Sequence, residues 1–475
     1  MEEFKVKSII AFHEGKSYNI ITKMRNRIID ALTGHNAGYI EAHFEESEST
    51  QLTYRGVKLE EVNRVHSCGG NIRALVKGGW GFVSFNDINH LREKVTLAIS
   101  EARLTNCKGF VFPRHEPIVD TVSFQEGKEA ASVPLLEKKQ LLEEYNDIML
   151  SCEGIQSTMI RYADTKRKVI FANSQGGYIE QSKPDLSLRL TAIARKNDEV
   201  QQAGLSLGSR GDFSAIEGIH QQVKEISNRA FALLDAPYAK SGEHTVVLDP
   251  VLAGVFVHEA FGHLSEADFV YQNNRLRNIM TIGRKFGDKH LNIIDDGSIN
   301  SLRGSYRYDD EGTPAARTHL IQEGALVGRL HSIETAAVMK EKPTGNARAI
   351  NYRFPPIVRM SNTFISPGTI SFKDMVGNIK EGIYLKDWYG GTTSLEMFTF
   401  SSGEAYMIRD GKIAELLRPA VLTGNVFTTL SNIDMIGDDL IMNQGGGCGK
   451  GAQSPLPVSN GSPHIRIRHC IVGGR

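Results

Sequence analysis

The stretch GEHTVVLDPVLAGVFVHEAFGHL, residues 242–264, reads as two elements in succession. Thr245 to Leu248 are β-branched or apolar, as strand residues are. Asp249 then offers an N-cap and Pro250 the residue favoured at the first helical position, so a helix begins where the strand ends. That helix carries the hexapeptide HEAFGH. In an HExxH helix two histidines stand one turn apart and grip a metal, with the glutamate beside them as base. Here His258 and His263 are five positions apart. At about 100° per residue the two would lie about 140° apart on a regular α-helix, too far round to aim both rings at one ion. Gly262 stands just before the second histidine, where one wide turn is tolerated. With about 4.4 residues in that turn, as in a π-bulge, the rings return to within roughly 50° of each other.

The remainder of the chain bounds the possibilities. It has 475 residues, 40% hydrophobic and 23% charged, enough for two or three domains with a large core. Lys plus Arg and Asp plus Glu number 55 each, so no net field recruits nucleic acid or an anionic membrane. The start, MEEFKVKSII, has no charged-then-apolar run of a signal peptide. The longest apolar stretch, residues 245–264, is broken by Asp249, His258 and Glu259, which a bilayer span tolerates poorly. A cytoplasmic protein is expected. Cys68, Cys107, Cys152, Cys448 and Cys470 are scattered without a CxxC, which excludes a disulfide framework and a zinc ribbon. Any metal role falls to single cysteines joined to distant ligands.

The periodicities predict an α+β fold in two domains, with a boundary near residue 236. Residues 1–235 form an α/β-type domain and residues 236–475 an antiparallel β-rich domain that carries the histidine helix. In the first half, SYNIITKMRNRIIDALTG, NHLREKVTLAISEARL and LLEKKQLLEEYNDIMLSCEG have helical spacing, as does HQQVKEISNRAFALLDA. ALVKGGWGFVSF and RKVIFANSQGGYIEQS read as hairpins around glycine turns. In the second half LNIIDDGS, GALVGRLHS, EGIYLKDWYGG, MFTFSSGEAYMIRDGKI and SPHIRIRHCIVGG read as short strands.

A second candidate ligand lies far along the chain, in NQGGGCGKGAQSPLPVSNGSPHIRIR. Glycines on both sides of Cys448 let the backbone approach an ion closely, and a thiolate is a good zinc ligand; the alternative is a mobile glycine tail. A Walker loop is excluded, because Gly451 follows Lys450 where Ser or Thr is required. Other HE pairs serve as controls: His13–Glu14 and His115–Glu116 have no second histidine at the right distance. His290, His319, His331, His464 and His469 read as surface or core histidines. The pairs Asp295/Asp296, Asp309/Asp310 and Asp438/Asp439 sit beside glycines and read as turns.

Taken together, HEAFGHLSEAD, RGSYRYDDEGTP, PTGNARA, RMSNTFISPG, GGTTSLEMFTFSSGEAYMIRDGKI, GNVFTTLSNIDMIGDDL and CGKGAQSPLPVSNGSPHIRI resemble the TldD/PmbA family of TldD-type zinc metallopeptidases, also carried under the label of modulators of DNA gyrase. They occur in family order from about residue 245 to 468. The first half resembles the family more weakly, through KGGWGFVSFND and its helix spacing. The resemblance implies one Zn2+ per chain held by His258, His263 and Cys448, with Glu259 in the catalytic position. Three protein ligands leave a position for water, as in catalytic sites. Glu259 is then the general base, worth about 10² to 10⁴ in rate. The negative charge of Cys448 leaves the ion less able to acidify water, which makes that base matter more. The glycine pattern around Cys448 departs from the family's and leaves its loop geometry open.

The glycine-rich strands near the site suggest a peptide bound extended along a strand edge, and the resemblance implies unfolded or flexible peptides reaching an enclosed site. It implies a dimer, formed with a second copy or with a metal-free relative of the TldE/PmbA type. Glu266 and Asp268 either orient a ligand histidine or form a solvated helix end. Three rival readings stand beside this one. One is a metal-dependent amide hydrolase on a small substrate, since peptide deformylases also join such histidines to a cysteine. Another is a non-catalytic partner or assembly subunit with Cys470 closing a structural site. The third, direct DNA binding, is disfavoured by the balanced charge.

Overall fold

The structure, a computed structural model, describes residues 17–105, 111–114, 116–124, 127–394 and 396–473, with side chains from residue 25 onward. His13, Glu14, Cys107 and His115 lie outside the described residues. The architecture is mixed α+β, with antiparallel-rich sheets in the C-terminal half.

The first half is built on one eight-stranded sheet. Its spine runs Gly79–Phe85, Lys58–Val76, Tyr39–Arg55, Ile155–Asn173, Tyr178–Ser182 and Val119–Val122, with Asp185–Lys196 branching from Ile155–Asn173 and Glu199–Ser209 pairing in turn with Asp185–Lys196. All pairings are antiparallel except that of Val119–Val122 with Tyr178–Ser182. Helices expected from periodicity form at Ser17–Leu32, Leu91–Leu104, Leu135–Ser151 and His220–Ala232. The second of these buries Leu91, Val95, Ala98, Ile99 and Ala102, one stripe at helical spacing. Each buried Leu, Val or Ile there contributes about 1.5–3 kcal/mol relative to exposure. It lies tight on the glycine hairpin, since a Cβ on Gly81 would stand 1.9 Å from Ala98 O.

In the second half Gly242–Leu248 is a strand, Asp249 caps the following helix by accepting from Leu252 N, and Pro250 stands at its start. The strand runs between Glu381–Ser394, parallel to it, and Ile465–Gly473, antiparallel. Val421–Asn425 and Met397–Arg409 follow, and Met397–Arg409 pairs back onto Glu381–Ser394, so five strands close on themselves. A six-stranded sheet lies beside this ring. It includes Ile293–Asp296, Asn362–Ile365, Ser459–Ser462 and Ile441–Asn443.

Helix Pro250–Val257 packs between the two sheets, against Ser459–Ser462 and Glu381–Ser394. Seven of its eight residues are buried, which suits a helix apolar all round. Gly254 makes that fit possible, because a Cβ there would lie 3.0 Å from the backbone of Gly461. The core around it gathers Leu252, Phe256, Phe261, Phe398, Phe400, Ile465 and Cys448. No helix of the described residues is long and apolar enough to cross a membrane.

Candidate metal centre

The helix does not continue regularly through the histidines. His258–Gly262 is one π turn, closed by a hydrogen bond from His263 N–H back to His258 O, five residues earlier. A 3-10 turn, His263–Ser265, follows, with Ser265 Oγ donating to Phe261 O at 2.9 Å. Gly262 is required by what lies beneath it: a Cβ there would sit 2.1 Å from Met360 Sδ, and Met360 is fully buried. The wide turn swings the two rings to one side, with centroids 5.4 Å apart and planes crossing at 80°.

Cys448 arrives from the other end of the half. The glycine-rich segment is a short hairpin, Gly447–Lys450 paired with Gln453–Pro457, in place of the mobile tail considered from composition. Buried Arg359 clasps it, donating to Cys448 O (2.7 Å) and Gln453 O (3.2 Å). Arg303 holds the approach, donating to Gly446 O (2.7 Å) and pairing with Asp185 of the first half. Thus Cys448 Sγ lies 3.3 Å from His263 Nε2, and donor atoms of His258, His263 and Cys448 all lie within 4.8 Å of one another. Around a tetrahedral zinc, with bonds of about 2.0–2.3 Å, neighbouring N and S ligands stand about 3.3–3.6 Å apart. The pair His263–Cys448 already has that separation, and the His258 donor lies within 4.8 Å of both.

The electrostatics suit a cation. Burial pushes the Cys448 thiol up, but the charges and hydrogen bonds of His258 and His263 outweigh it and bring it down to about 5, which favours the thiolate. Burial pushes the His263 imidazole down, yet Glu266 and Cys448 hold it well above its ordinary value. For His258, burial is likewise outweighed, chiefly by Cys448. His258 Nδ1 is buried without any hydrogen-bond partner. Two imidazoles crowded round one sulfur, with a ring nitrogen left over, form a set whose charge and hydrogen bonding one divalent cation would complete.

Glu266 is the carboxylate that meets a candidate ligand ring. Fully buried, it meets His263 Nδ1 at 3.1 Å, the carboxylate–histidine pairing that fixes a ligand ring and raises its basicity. Asp268 does not reach a histidine. It pairs with Lys450 Nζ (2.7 Å), which also meets Glu266 (3.0 Å) and Val358 O (2.8 Å), so Lys450 ties the cysteine hairpin to the segment after the histidines. Sequence reading missed both Lys450 and Arg359. The only hint was a lysine two residues beyond the cysteine, weighed above merely against a Walker loop.

Glu259 lines a cavity of about 290 Å³ together with His258, Asp249, Lys386, Trp388 and Gly447. Its Oε2 is 3.8 Å from His263 Nε2, so a carboxylate, two imidazoles and a thiol face one small space. Cys470 stays apart. It lies buried on Ile465–Gly473 opposite His244, outside the ligand group, and burial pushes its thiol up to about 12. The described cysteines Cys68, Cys152, Cys448 and Cys470 are all free. His290, His331, His464 and His469 each bond elsewhere in the chain. Of the acidic pairs, Asp295 and Asp296 correct the turn reading, whereas Asp309 opens a turn, its carbonyl oxygen accepting from Gly312 N–H at 3.2 Å. Asp295 and Asp296 end a buried strand, with Asp295 accepting from Ser361, Thr363 and Asn346. Asp309 and Asp310 are buried and receive the backbone of Ala347 and Ala349.

Comparison with known proteins is consistent along the chain. Three family models match: PmbA/TldA metallopeptidase domain 1 over residues 41–103, the central domain over 128–234 and the C-terminal domain over 241–474. A metalloprotease of Synechocystis is 44% identical over 92% of this chain and 95% of its own length. A zinc metalloprotease TldD homolog of Saccharolobus solfataricus is 31% identical over 86% of this chain and 90% of its own. The crystal structure of TldE from Thermococcus kodakarensis shares the fold, with a TM-score of 0.71 at 17% identity, covering 95% of this chain and all of that one.

Proposed function

The chain belongs to the PmbA/TldD metallopeptidase family, and on that premise we propose that it is a zinc-dependent peptidase acting on unfolded or flexible peptides. The observation that carries this is the convergence of His258, His263 and Cys448 across the π turn, with Glu259 lining the adjoining cavity. His258, His263 and Cys448 would hold one Zn2+. When bound, the ion supplies a Lewis acid that acidifies a water molecule and polarises the scissile carbonyl.

The chain's own residues do the rest. Glu266 holds His263 in the tautomer that offers Nε2 to the ion. Glu259 accepts the proton of the attacking water and returns it to the leaving amine, so that both C–N cleavage and proton balance are met by one carboxylate. Asn443 and Gly445 to Gly447 border the same cavity and offer main-chain groups along which an extended peptide can align. The free cysteines support a reducing compartment, the cytoplasm. The equal numbers of acidic and basic residues support a role without direct DNA contact. A dimer with a second copy or with a metal-free TldE-type relative completes the reading.

The test is Glu259→Gln. Hydrolysis of an unstructured peptide library should fall by about 10² to 10⁴, while zinc analysis still finds one ion per chain. His258→Ala or Cys448→Ala should lose both metal and hydrolysis. Full hydrolysis by the Gln variant would sink the assignment. Cys470→Ser should change neither readout; loss of zinc there would instead favour the structural-site subunit.

A further inference from the structure

We infer that Asp249 is a specificity-determining residue, the anionic wall of a subsite beside His258 and Glu259 that takes a cationic group of the substrate, an ammonium or a guanidinium. This rests on the peptidase reading above. The observation behind it is a charge inventory of the cavity. Arg229 donates to Glu404 (3.1 Å) and to Asp387 (3.3 Å), and Lys386 Nζ lies 3.0 Å from Glu404. Two cations therefore answer two carboxylates. Asp249 takes part in no ion pair among the described residues, and it is 8% exposed. Its donors are the backbone N–H groups of Leu252 (2.8 Å) and Asp387 (3.1 Å), both on Oδ1.

A buried carboxylate with one oxygen satisfied by amides and no cation in ion-pair contact, Lys386 acting on it only from a distance, is costly unless something supplies the charge. Burial pushes the Asp249 carboxyl up to about 7, with the neighbouring Asp387 charge adding to the rise. An arriving cation would reverse this.

The rest of the cavity suits a long side chain with a charged end. Val251, Val255 and Trp388 line it beside the carboxylates, giving methylene groups an apolar path and a cation an aromatic neighbour. At about 290 Å³ it falls at the lower limit for a ligand pocket, room for one side chain or chain terminus and no more. The wall is also held on purpose. Asp387 has φ 59, a left-handed conformation for a non-glycine residue, next to an irregularity between Trp388 and Gly390. Strain of that kind persists only where surrounding structure imposes it, and here it aims Asp387 N at Asp249 and sets Trp388 on the cavity.

The cation could be a lysine or arginine side chain near the scissile bond or the free α-amine of the substrate. One flexible peptide settles both. It is made with lysine, norleucine or glutamate at each position flanking the cleaved bond, and each version is prepared with a free and an acetylated N-terminus. The zinc-loaded full chain should favour lysine over norleucine, or the free over the acetylated terminus, by about 10-fold to 100-fold in kcat/KM, the range of a hydrogen bond to a charged group. Glutamate should be the poorest. In Asp249→Asn and Asp249→Ser that ratio should collapse to about 2-fold or less; both residues still cap a helix, and zinc content checks that the helix is intact. No preference in either arm, or a preference surviving both substitutions, overturns the subsite. Binding of the same peptides to zinc-loaded Glu259→Gln, followed by fluorescence anisotropy, reads the preference without turnover. A chain that cleaves nothing yet discriminates by charge would therefore refute the peptidase reading and leave the subsite standing.

Discussion

The two histidines and the cysteine reach the same point by opposite routes. The histidines are placed by five residues of backbone, one π turn over a glycine that admits Met360. The cysteine is placed by side chains from elsewhere: Arg359 on its carbonyl, Lys450 on Glu266 and Asp268, Arg303 on the segment before it. The first arrangement is written in local spacing, the second in contacts between residues some 90 to 180 positions apart. A local device tolerates change elsewhere in the chain, whereas a remote one fails wherever any of its clasps is cut.

The largest expected effect tests the remote side. Arg359→Met should weaken zinc binding by about 10- to 100-fold, the usual effect of losing a residue that supports a ligand, as read by competition with a chelator. Unchanged affinity would show that the hairpin holds Cys448 unaided. A smaller effect probes the local side. Gly262→Ala should cost about 1–2 kcal/mol in denaturant unfolding, overpacking against Met360 exceeding the gain in helix propensity. Adding Met360→Ala should give a double variant less destabilised than the sum of the two single changes. Additive losses would mean that the clash is not what keeps the glycine.

A pH-dependent effect concerns the cap that starts the histidine helix. The folded-state carboxyl of Asp249 is raised to about 7 from an ordinary 3.8, so the fold favours its protonated form. The stability this contributes is present below the unfolded value and is lost as pH climbs from about 4 through 7. Asparagine does not titrate. Relative to wild type, Asp249→Asn should therefore gain stability as pH is raised from 4 to 8, measured as the difference in unfolding midpoints. A difference independent of pH would contradict the buried, unpaired carboxyl.

The sequence was legible where structure is local. The strand ending at Asp249, the proline that opens the helix and the wide turn at Gly262 could all be read from adjacent residues. So could the helices of the first half, because each carries one apolar stripe. The hairpin of Tyr39–Arg55 with Lys58–Val76 escaped notice because much of its length, KLEEVNRVHS, is exposed and offers no apolar alternation. The pair Asp295/Asp296 misled for a related reason: Asp beside Gly looks the same in a turn as at the end of a buried strand. What separates Asp295 from a turn residue is Ser361, Thr363 and Asn346, more than fifty positions away. Lys450 and Arg359 were invisible on the same ground.

The order of strands around the histidine helix has a consequence for the birth of the protein. Gly242–Leu248, which leads into that helix, is bordered by Glu381–Ser394 and Ile465–Gly473, both made much later on the ribosome. A nascent chain thus exposes its two imidazoles long before their sulfur partner and the flanking strands exist. The cluster of His258, His263 and Cys448 can therefore close only after residues 381–473 have emerged.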